Sequence, residues 1–286
     1  MPLDFAPRPF LDLWTRDDQP LPSALSSTRF LGIGAHQDDL ELLAFPGILH
    51  GLSDTSFSGV VCTDGRGSPR TGIHAHLTPD QLALARIKEQ RDAARIGNYR
   101  AVIQLGYPSS DLRSDTSASS LVSDLETILL AAAPEVVYTH HPADRHPTHL
   151  AVFHATLKAL RRLPPGQRPR QVLGGEVWGS LDWLEPGDRV ELDVSGHHDF
   201  AERLLRVFRT QIEGGKRYDL AALGRRQANA TFSASHTIDA CPEISFALDL
   251  TPLLDSPELD IAAFLAPLLD RFKNRILHPW PSPSAP

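Results

Sequence analysis

The sequence predicts an α/β fold: a Rossmann-like, mostly parallel sheet flanked by helices, with a C-terminal α+β cap. The first observation is that short β-branched runs alternate with helical stretches over residues 28–160, as in βαβ units. The second is that this alternation ends at a segment rich in Pro, Arg and Gly, residues 161–170. The third is the length of 286 residues, 41% of them hydrophobic, which is enough to bury a sizeable core.

Four strands are expected in the first half, where β-branched residues cluster: residues 29–35, 59–63, 101–105 and 135–139. The clearest helix covers residues 78–96, because it opens TPDQ, with a Thr cap, Pro at the first helical position and Gln three residues after the cap. A second helix is expected from about 147 to 160, with four apolar residues on one face.

We expect one domain over residues 28–276, with a core at 28–160 and a cap at 171–276. In the cap, GGEVWGS and RVELDVS resemble strands, and helices are predicted near 199–212, 220–230 and 259–276. Residues 1–27 carry prolines and no period, which predicts an extended arm laid on the domain. Residues 277–286 form a Pro-rich tail that ends the fold.

Composition excludes several functional classes. With 28 Lys and Arg against 35 Asp and Glu, the net charge is −7, so the basic surface of a nucleic-acid-binding protein is absent. Cys62 and Cys241 lie far apart and give neither a metal spacing nor a disulfide framework, which favours a reducing cytoplasm. No apolar run approaches the ~20 residues of a membrane span. We therefore expect a cytoplasmic protein with a small-molecule partner, and homo-oligomer formation stays open.

Two polar segments come directly after predicted strands. His36-Gln37-Asp38-Asp39-Leu40-Glu41 comes after the first, and Asp144-Arg145-His146-Pro147-Thr148-His149 comes after the fourth. Ligands of parallel sheets bind beyond the carboxyl ends of the strands, so both segments are expected at one edge. His36, Asp39 and His149 would make a three-ligand zinc site with an open position for water. Asp38 beside it would suit a general base.

Simpler explanations exist for each residue. The chain has 13 His residues, and Asp-Asp after a strand can simply cap a helix. Arg86 can pair with Glu89 or Gln90 on the helix surface. Trp178 and Trp183 can stack on a sugar ring or belong to the core, and His74 and His76 can line the substrate mouth or lie in a surface loop.

The two segments also carry a family resemblance. GAHQDDLE resembles the A-H-P-D-D-E signature of the zinc-dependent N-acetylglucosaminyl deacetylases, the PIG-L/LmbE-like family, and DRHPTH resembles its D-x-H-P-D-H signature. The resemblance implies a Rossmann-like sheet and one zinc ion held by His36, Asp39 and His149. It implies Asp38 as the base and His146 as the general acid or oxyanion partner.

The resemblance also implies that Arg86, in ARIKEQRDAARIG, reaches the substrate from its helix. Two positions depart from the family pattern. Gln37 replaces the usual Pro, which removes no chemical group. Thr148 replaces the Asp that supports the catalytic His, so we expect His146 to protonate at lower pH than in relatives that carry the Asp. At the position of Asp144 some relatives carry a tyrosine.

The expected function is zinc-dependent removal of acetate from an N-acetylglucosamine-type conjugate. One alternative is the same metal chemistry on another sugar amide, as in a thiol-conjugate amidase. The other is a catalytically decayed α/β metal-binding module, against which the retained Asp38 argues, since a binding site needs no base. The aglycone and the metal loaded are left open by the sequence.

Overall fold

One sheet of eight strands forms the centre of the protein, seen in a computed structural model that describes residues 3–114 and 118–277. In chain order the strands are β1 (Asp12–Thr15), β2 (Phe30–Gly34), β3 (Phe57–Thr63), β4 (Ala101–Tyr107), β5 (Val136–His140), β6 (Gln171–Gly175), β7 (Val190–Asp193) and β8 (Ile244–Asp249). Their order across the sheet is β1-β4-β3-β2-β5-β6-β8-β7.

The five central strands run parallel, and antiparallel strands extend the sheet on both sides. From β2 the chain moves outward through β3 and β4, then crosses back to pair β5 with the other side of β2. The order of the strands therefore reverses between β2 and β5, and the crevice at their carboxyl ends is the usual ligand position in such sheets. The predicted α/β class with a mostly parallel sheet is confirmed.

Helices cover both faces of the sheet over two apolar clusters. They are α1 (Leu21–Leu25), α2 (Asp39–Leu43), α3 (Phe45–Gly51), α4 (Pro79–Ile96), α5 (Ser109–Arg113), α6 (Ala118–Ala132), α7 (Pro147–Arg162), α8 (His198–Leu205), α9 (Arg209–Ile212), α10 (Tyr218–Phe232), α11 (Thr251–Asp255) and α12 (Ile261–Leu277). In the part of the chain that is described, none of these helices is long and apolar enough to cross a bilayer.

The helix predicted from TPDQ begins as expected. Thr78 Oγ1 accepts the backbone N–H of Gln81, and the Gln81 side chain accepts the N–H of Thr78, so the capping box is complete. Because this cap fixes where α4 starts, it also sets which α4 side chains face the sheet edge.

Several elements differ from the expectation. The arm is more than an extended segment: it contributes β1, which pairs with β4, and the short helix α1. The strands expected in the cap extend the same sheet, and β6 ends at Gly175, before most of GGEVWGS. The helix expected at 199–212 breaks into α8 and α9 around Phe208, whose ψ of 57° is not helical. Helix α6 and strand β8 had no counterpart in the prediction. Most of the predicted tail, residues 278–286, lies outside the described residues.

Candidate functional site

Three side chains from the two polar segments meet at the β2/β5 crevice. His36 lies just after β2, Asp39 opens α2, and His149 lies in the first turn of α7. Asp39 Oδ2 lies 3.4 Å from His36 Nδ1 and 3.4 Å from His149 Nε2, and the two ring nitrogens are 3.2 Å apart. These three donor atoms form a nearly equilateral triangle, which we call the donor triangle.

The donor triangle fits a tetrahedral metal ion. Bonds of 2.0–2.2 Å to nitrogen and oxygen ligands place neighbouring donors of a tetrahedron about 3.3 to 3.6 Å apart, which is close to the three observed separations. Two imidazoles and one carboxylate are a donor set that zinc accepts. The spacing and the chemistry of these three donors therefore fit a metal ion.

His140 offers a competing donor, because its Nε2 lies 3.4 Å from Asp39 Oδ2. That nitrogen, however, accepts the backbone N–H of Ala35 at 2.9 Å, and the lone pair is therefore in use. The His140 ring stacks on His149, with centroids 3.9 Å apart. We therefore assign His140 to holding the orientation of His149.

Asp144 supports the same histidine from behind. Its Oδ1 lies 3.2 Å from His149 Nδ1, the arrangement in which a carboxylate orients a metal-binding imidazole. The other oxygen, Oδ2, accepts the backbone N–H groups of Trp178 at 3.2 Å and Gly179 at 3.4 Å. One buried carboxylate thus links the donor triangle to the segment that carries Trp178.

Charges in this cluster oppose the effect of burial. Burial by itself would raise the pKa of Asp39, yet the charge of His149 and the adjacent imidazoles of His140 and His36 hold it well below its usual range. Burial would lower the pKa of His149, but Asp39 and Asp144 raise it above its ordinary value. Asp39 is therefore a carboxylate at neutral pH, as a metal ligand must be.

Asp38 lies next to Asp39 at the floor of the site, and two residues of α4 contact it. Its φ of 93° is in the left-handed region, which is costly for a residue other than Gly. Two side chains one turn apart on α4 hold it there: Gln90 Oε1 accepts the Asp38 N–H at 3.2 Å, and Arg86 donates to Asp38 Oδ2 at 3.3 Å and to Gln37 O at 2.5 Å. Burial raises the pKa of Asp38 well above its ordinary value, and the Arg86 charge offsets this only in part.

A hydrogen-bond chain extends from Gln90 into the core. Gln90 Nε2 donates to Glu41 Oε1 at 2.8 Å, and the Tyr99 hydroxyl donates to the same oxygen at 2.7 Å. With Nε2 committed to Glu41, Gln90 presents its carbonyl oxygen to the Asp38 amide. The orientation of Gln90 is therefore set by buried partners.

Close packing requires glycine beside these loops. A Cβ on Gly34 would lie 2.9 Å from the Cβ of Asp39. Gly65 has φ of +69°, and a Cβ there would lie 2.5 Å from Gln37 Oε1 and 3.1 Å from Arg86 Cδ. At both positions, any residue with a Cβ would force the backbone away from the site residues.

His146 lies beside the donor triangle as the N-cap of α7. Its Nδ1 accepts the backbone N–H of Thr148 at 3.3 Å, and its ring meets that of His36 edge-on, with centroids 5.0 Å apart. Burial, with the charge of His149, lowers the pKa of His146 to about 4. The ring is therefore neutral near pH 7, with its proton on Nε2. The Thr148 side chain is fully buried, and its hydroxyl has no hydrogen-bond partner among the described residues.

A pocket of about 370 Å³ opens above the donor triangle. Its floor contains His36, Asp38, Asp39, Arg86 and His146. Its walls come from three parts of the chain: the loop after β3 (Gly65, Gly67, Ser68, Pro69), α5 (Ser109, Arg113) and the cap (Val177, Trp178, Gln211, Lys216, Tyr218), with Leu42 of α2 beside them.

The structure locates the four residues whose roles the sequence left open. Trp178 is 40% exposed and lines the pocket, whereas Trp183 packs against Phe272 of α12. His74 lies outside the pocket lining and contacts Glu213 of the cap at 3.1 Å. His76 is also absent from that lining.

Arg86 pairs with Asp38 and with neither of its helix neighbours, and it is only 2% exposed. Sequence reasoning missed Gln90 at this site, although its spacing of four from Arg86 placed both on one helix face. It also missed Arg113, Lys216 and Tyr218, for which the sequence carried no local signal.

The fold and the donor triangle together define an α/β protein with a candidate metal centre at the sheet's switch point. Comparison with known proteins gives the family. The family model PIG-L, described as GlcNAc-PI de-N-acetylase, matches residues 31–160. The curated deacetylase YaiS of Escherichia coli K12, itself called uncharacterized, is 33% identical over 178 residues, which cover 56% of this chain and 82% of YaiS. The chain belongs to the PIG-L family of de-N-acetylases.

Solved structures share the fold at lower identity. N,N'-diacetylchitobiose deacetylase from Pyrococcus horikoshii is 20% identical with a TM-score of 0.60, over 80% of this chain and 86% of that one. GalB, a 4-carboxy-2-hydroxymuconate hydratase from Pseudomonas putida KT2440, is 18% identical with a TM-score of 0.58, over 78% and 96%. A hydratase and a deacetylase thus share this architecture, so the fold alone does not decide the reaction.

Proposed function

We propose that the protein is a zinc-dependent hydrolase that removes the N-acetyl group from an N-acetylglucosamine-type amino sugar and releases acetate. The observation that carries this proposal is the Asp38 carboxylate held beside the donor triangle of His36, Asp39 and His149 without belonging to it. A three-donor site with a neighbouring base is the arrangement that metal-assisted amide hydrolysis needs.

In this proposal His36, Asp39 and His149 hold the ion. A bound zinc ion would supply a Lewis acid for the amide carbonyl and would lower the pKa of water toward ~7. Asp144 and His140 keep the His149 ring in the orientation that presents Nε2.

Asp38 accepts the proton of the attacking water. Its raised pKa suits this task, because a carboxyl group of ordinary acidity is a weak base near neutral pH. Arg86 and Gln90 hold the backbone and carboxylate of Asp38 in the strained conformation that this position needs. The same carboxyl group then returns the proton to the leaving amine, so that acetate and a free amino sugar result.

His146 stabilises the negative charge that develops on the carbonyl oxygen. Because its Nδ1 accepts the Thr148 N–H, its Nε2 carries the proton and can donate a hydrogen bond to that oxygen. A neutral imidazole can fill this role, so the carboxylate that the family pattern has at position 148 is not required for it.

The amino-sugar class is supported by the family description and by the exposed Trp178 ring on the pocket wall, since aromatic rings provide an apolar face for sugars. The Pyrococcus relative acts on diacetylchitobiose according to its name, which points in the same direction. Amidase action on a larger acyl group stays the alternative, and chain-length preference decides between them.

The test begins with elemental analysis of the purified protein, for which we expect one divalent metal per chain. Acetate release is then measured with methyl N-acetylglucosaminide, and release of the corresponding acid with its N-propionyl and N-butyryl analogues. We expect acetate to be released fastest and a chelator to stop the reaction. Release of no carboxylic acid by the metal-loaded protein would contradict the proposal, and preference for the longer acyl groups would support the amidase alternative.

A further inference from the structure

A buried amide in the wall of the pocket above the donor triangle lacks a hydrogen-bond partner. Gln211, in α9, lines this pocket and is only 4% exposed. Its Nε2 is buried and has no hydrogen-bond partner among the described residues. Buried amide groups are almost always hydrogen-bonded in folded proteins, because leaving such a group unpaired costs free energy. Since Gln211 lines the pocket, a molecule bound there is the partner that its amide can gain.

The short helix α9 is held in place from two sides. On one side, Glu89 of α4 accepts the backbone N–H and the hydroxyl of Thr210, both at 2.7 Å, and Thr210 is itself buried. On the other side, the hydroxyl of Thr71, in the loop after β3, donates to the backbone carbonyl of Gly214. The position of Gln211 in the pocket wall is therefore set by contacts of its neighbours with two other parts of the chain.

Helix α4 connects Gln211 to the floor of the site. Glu89 lies three residues after Arg86, so the two side chains project from neighbouring positions on one helix face. Arg86 contacts the Asp38 carboxylate, while Glu89 holds the residue before Gln211. One stretch of helix thus positions both the proposed base and the unpaired amide. A molecule that packs against Trp178 in the same pocket lies between walls that include Gln211.

The chemistry of the amide indicates which group it binds. A primary amide offers one acceptor and two donors, and a half-turn of the group exchanges Oε1 with Nε2. A hydroxyl group also donates and accepts, so it can pair with the amide in either orientation. A carboxylate or a phosphate would use only the donors and pairs more strongly with a charged side chain. In an N-acetyl amino sugar whose acetamide lies at the donor triangle, the groups left to match Gln211 are the hydroxyls.

We propose that Gln211 is a specificity-determining residue that hydrogen-bonds one hydroxyl group of the amino sugar. This proposal rests on the proposed function, because it takes the sugar as the molecule bound in the pocket. Gln211 favours sugars that carry this hydroxyl over sugars that lack it, and it takes no part in breaking the amide bond. Because the amide gives up no protein partner on binding, we expect a gain at the upper end of the range for neutral hydrogen bonds, about tenfold in affinity.

The experiment compares methyl N-acetylglucosaminide with its 3-deoxy, 4-deoxy and 6-deoxy analogues, using the metal-loaded protein and its Gln211→Met variant. In the unaltered protein, we expect kcat/KM for one analogue to be about tenfold below that for the parent sugar, mainly through KM, because the contact is equal in ground and transition states. Gln211→Met should lower kcat/KM for the parent sugar by the same factor and leave that for this analogue unchanged. The missing hydroxyl of that analogue then identifies the group that Gln211 binds.

Stability measurements distinguish this binding role from a structural one. Gln211→Met replaces the amide with an apolar side chain of similar size, and no hydrogen bond is lost, so the midpoint of urea unfolding should stay the same or rise. Gln211→Leu should give the same pattern of kcat/KM. The matched control is Gln227→Met on α10, an exposed glutamine outside the pocket lining, which should change kcat/KM for none of the four sugars. A lower unfolding midpoint in Gln211→Met, together with equal losses of kcat/KM for all four sugars, would overturn the proposal.

Calorimetric binding of the four sugars to the metal-loaded protein separates this proposal from the proposed function. If no acetate is released, binding that is weakened by Gln211→Met and by loss of one hydroxyl, with no further weakening when both are combined, still supports the role of Gln211. Acetate release with a deoxy effect that persists undiminished in Gln211→Met, or with no deoxy effect at all, overturns the role of Gln211 and leaves the proposed function standing. Absence of both binding and acetate release overturns both.

Discussion

Removing the charge of Asp38 or of its neighbour Asp39 should impair two different properties of the protein. Asp38→Asn and Asp39→Asn both exchange one carboxylate oxygen for an amide nitrogen, with almost no change in shape. Asp39 Oδ2 is one corner of the donor triangle, 3.4 Å from both histidine nitrogens, whereas Asp38 faces Arg86 and Gln90. In the proposed mechanism, the first substitution therefore removes the base and the second removes a metal ligand.

The magnitudes can be worked from these positions. General base catalysis contributes about 10²–10⁴-fold, or about 3–5 kcal/mol of activation free energy, so Asp38→Asn should lower kcat by that factor. Its metal content should stay at one ion per chain. Loss of an outer partner of a ligand costs about 10–100-fold in metal affinity, and loss of the Asp39 charge itself should cost more than about 100-fold. Arg86 keeps its bond to Gln37 O in both variants, which preserves the local fold.

The assay measures acetate release and metal content on the same preparations, and metal affinity by competition with a chelator. Asp270→Asn, an exposed site on α12, is the control for the chemical change. Circular dichroism checks that each variant is folded. Equal metal loss in both variants, or full turnover in Asp38→Asn, would refute the division of roles between the two aspartates.

Three further predictions concern neighbouring residues. Gln90→Met removes the acceptor of the Asp38 amide and should lower kcat about tenfold at unchanged metal content. Acetate release and elemental analysis measure the two quantities. An unchanged kcat would show that Gln90 does not position Asp38. Thr148→Val replaces a buried hydroxyl without a described partner and should raise the free energy of unfolding by about 1 kcal/mol. Thr148→Asp buries a charge and should lower the free energy of unfolding by about 3 kcal/mol or more. Urea titrations measure both changes, and equal stability of the two variants would contradict this prediction. Glu89 accepts two hydrogen bonds from Thr210, and burial raises the pKa of its carboxyl group. The folded protein therefore binds the Glu89 proton more tightly than the unfolded chain does. The contribution of Glu89 to the free energy of unfolding consequently falls as the pH rises through the folded pKa. Glu89→Gln should therefore gain stability relative to the parent protein as the pH rises from about 4 toward neutrality, and a difference independent of pH would speak against it.

Membership of the PIG-L family says more about the reaction of this protein than a shared fold does. The family model and the E. coli relative support de-N-acetylase chemistry, while the hydratase from Pseudomonas putida shows the same fold with another reaction in its name. The discriminating features are consequently side chains. Asp38 is the most informative of them, because Gln90 and Arg86 hold its strained backbone and its carboxylate in place.

The sequence by itself determined the parallel core and which two polar segments would meet at one edge of the sheet. The period of the apolar residues identified β2, β3, β4 and β5, and parallel strands bring the residues after their carboxyl ends to one edge of the sheet. His36 and His149 could therefore be placed together across more than a hundred residues. The capping box at Thr78 is equally local, since its two hydrogen bonds join residues three positions apart.

Only the tertiary structure decided how the remaining parts contribute. Strand β1 forms because β4 offers an unpaired edge, and β8 pairs between β6 and β7, which no pattern within either segment encodes. Likewise, Arg86 forms its ion pair with Asp38 instead of with its helix neighbours. Lys216 lines the pocket, although it lies in the cap, far along the chain from the other site residues. Periodicity reports which face of an element is buried, but the partner of a buried charge and the residues at a pocket mouth depend on contacts between segments distant in sequence.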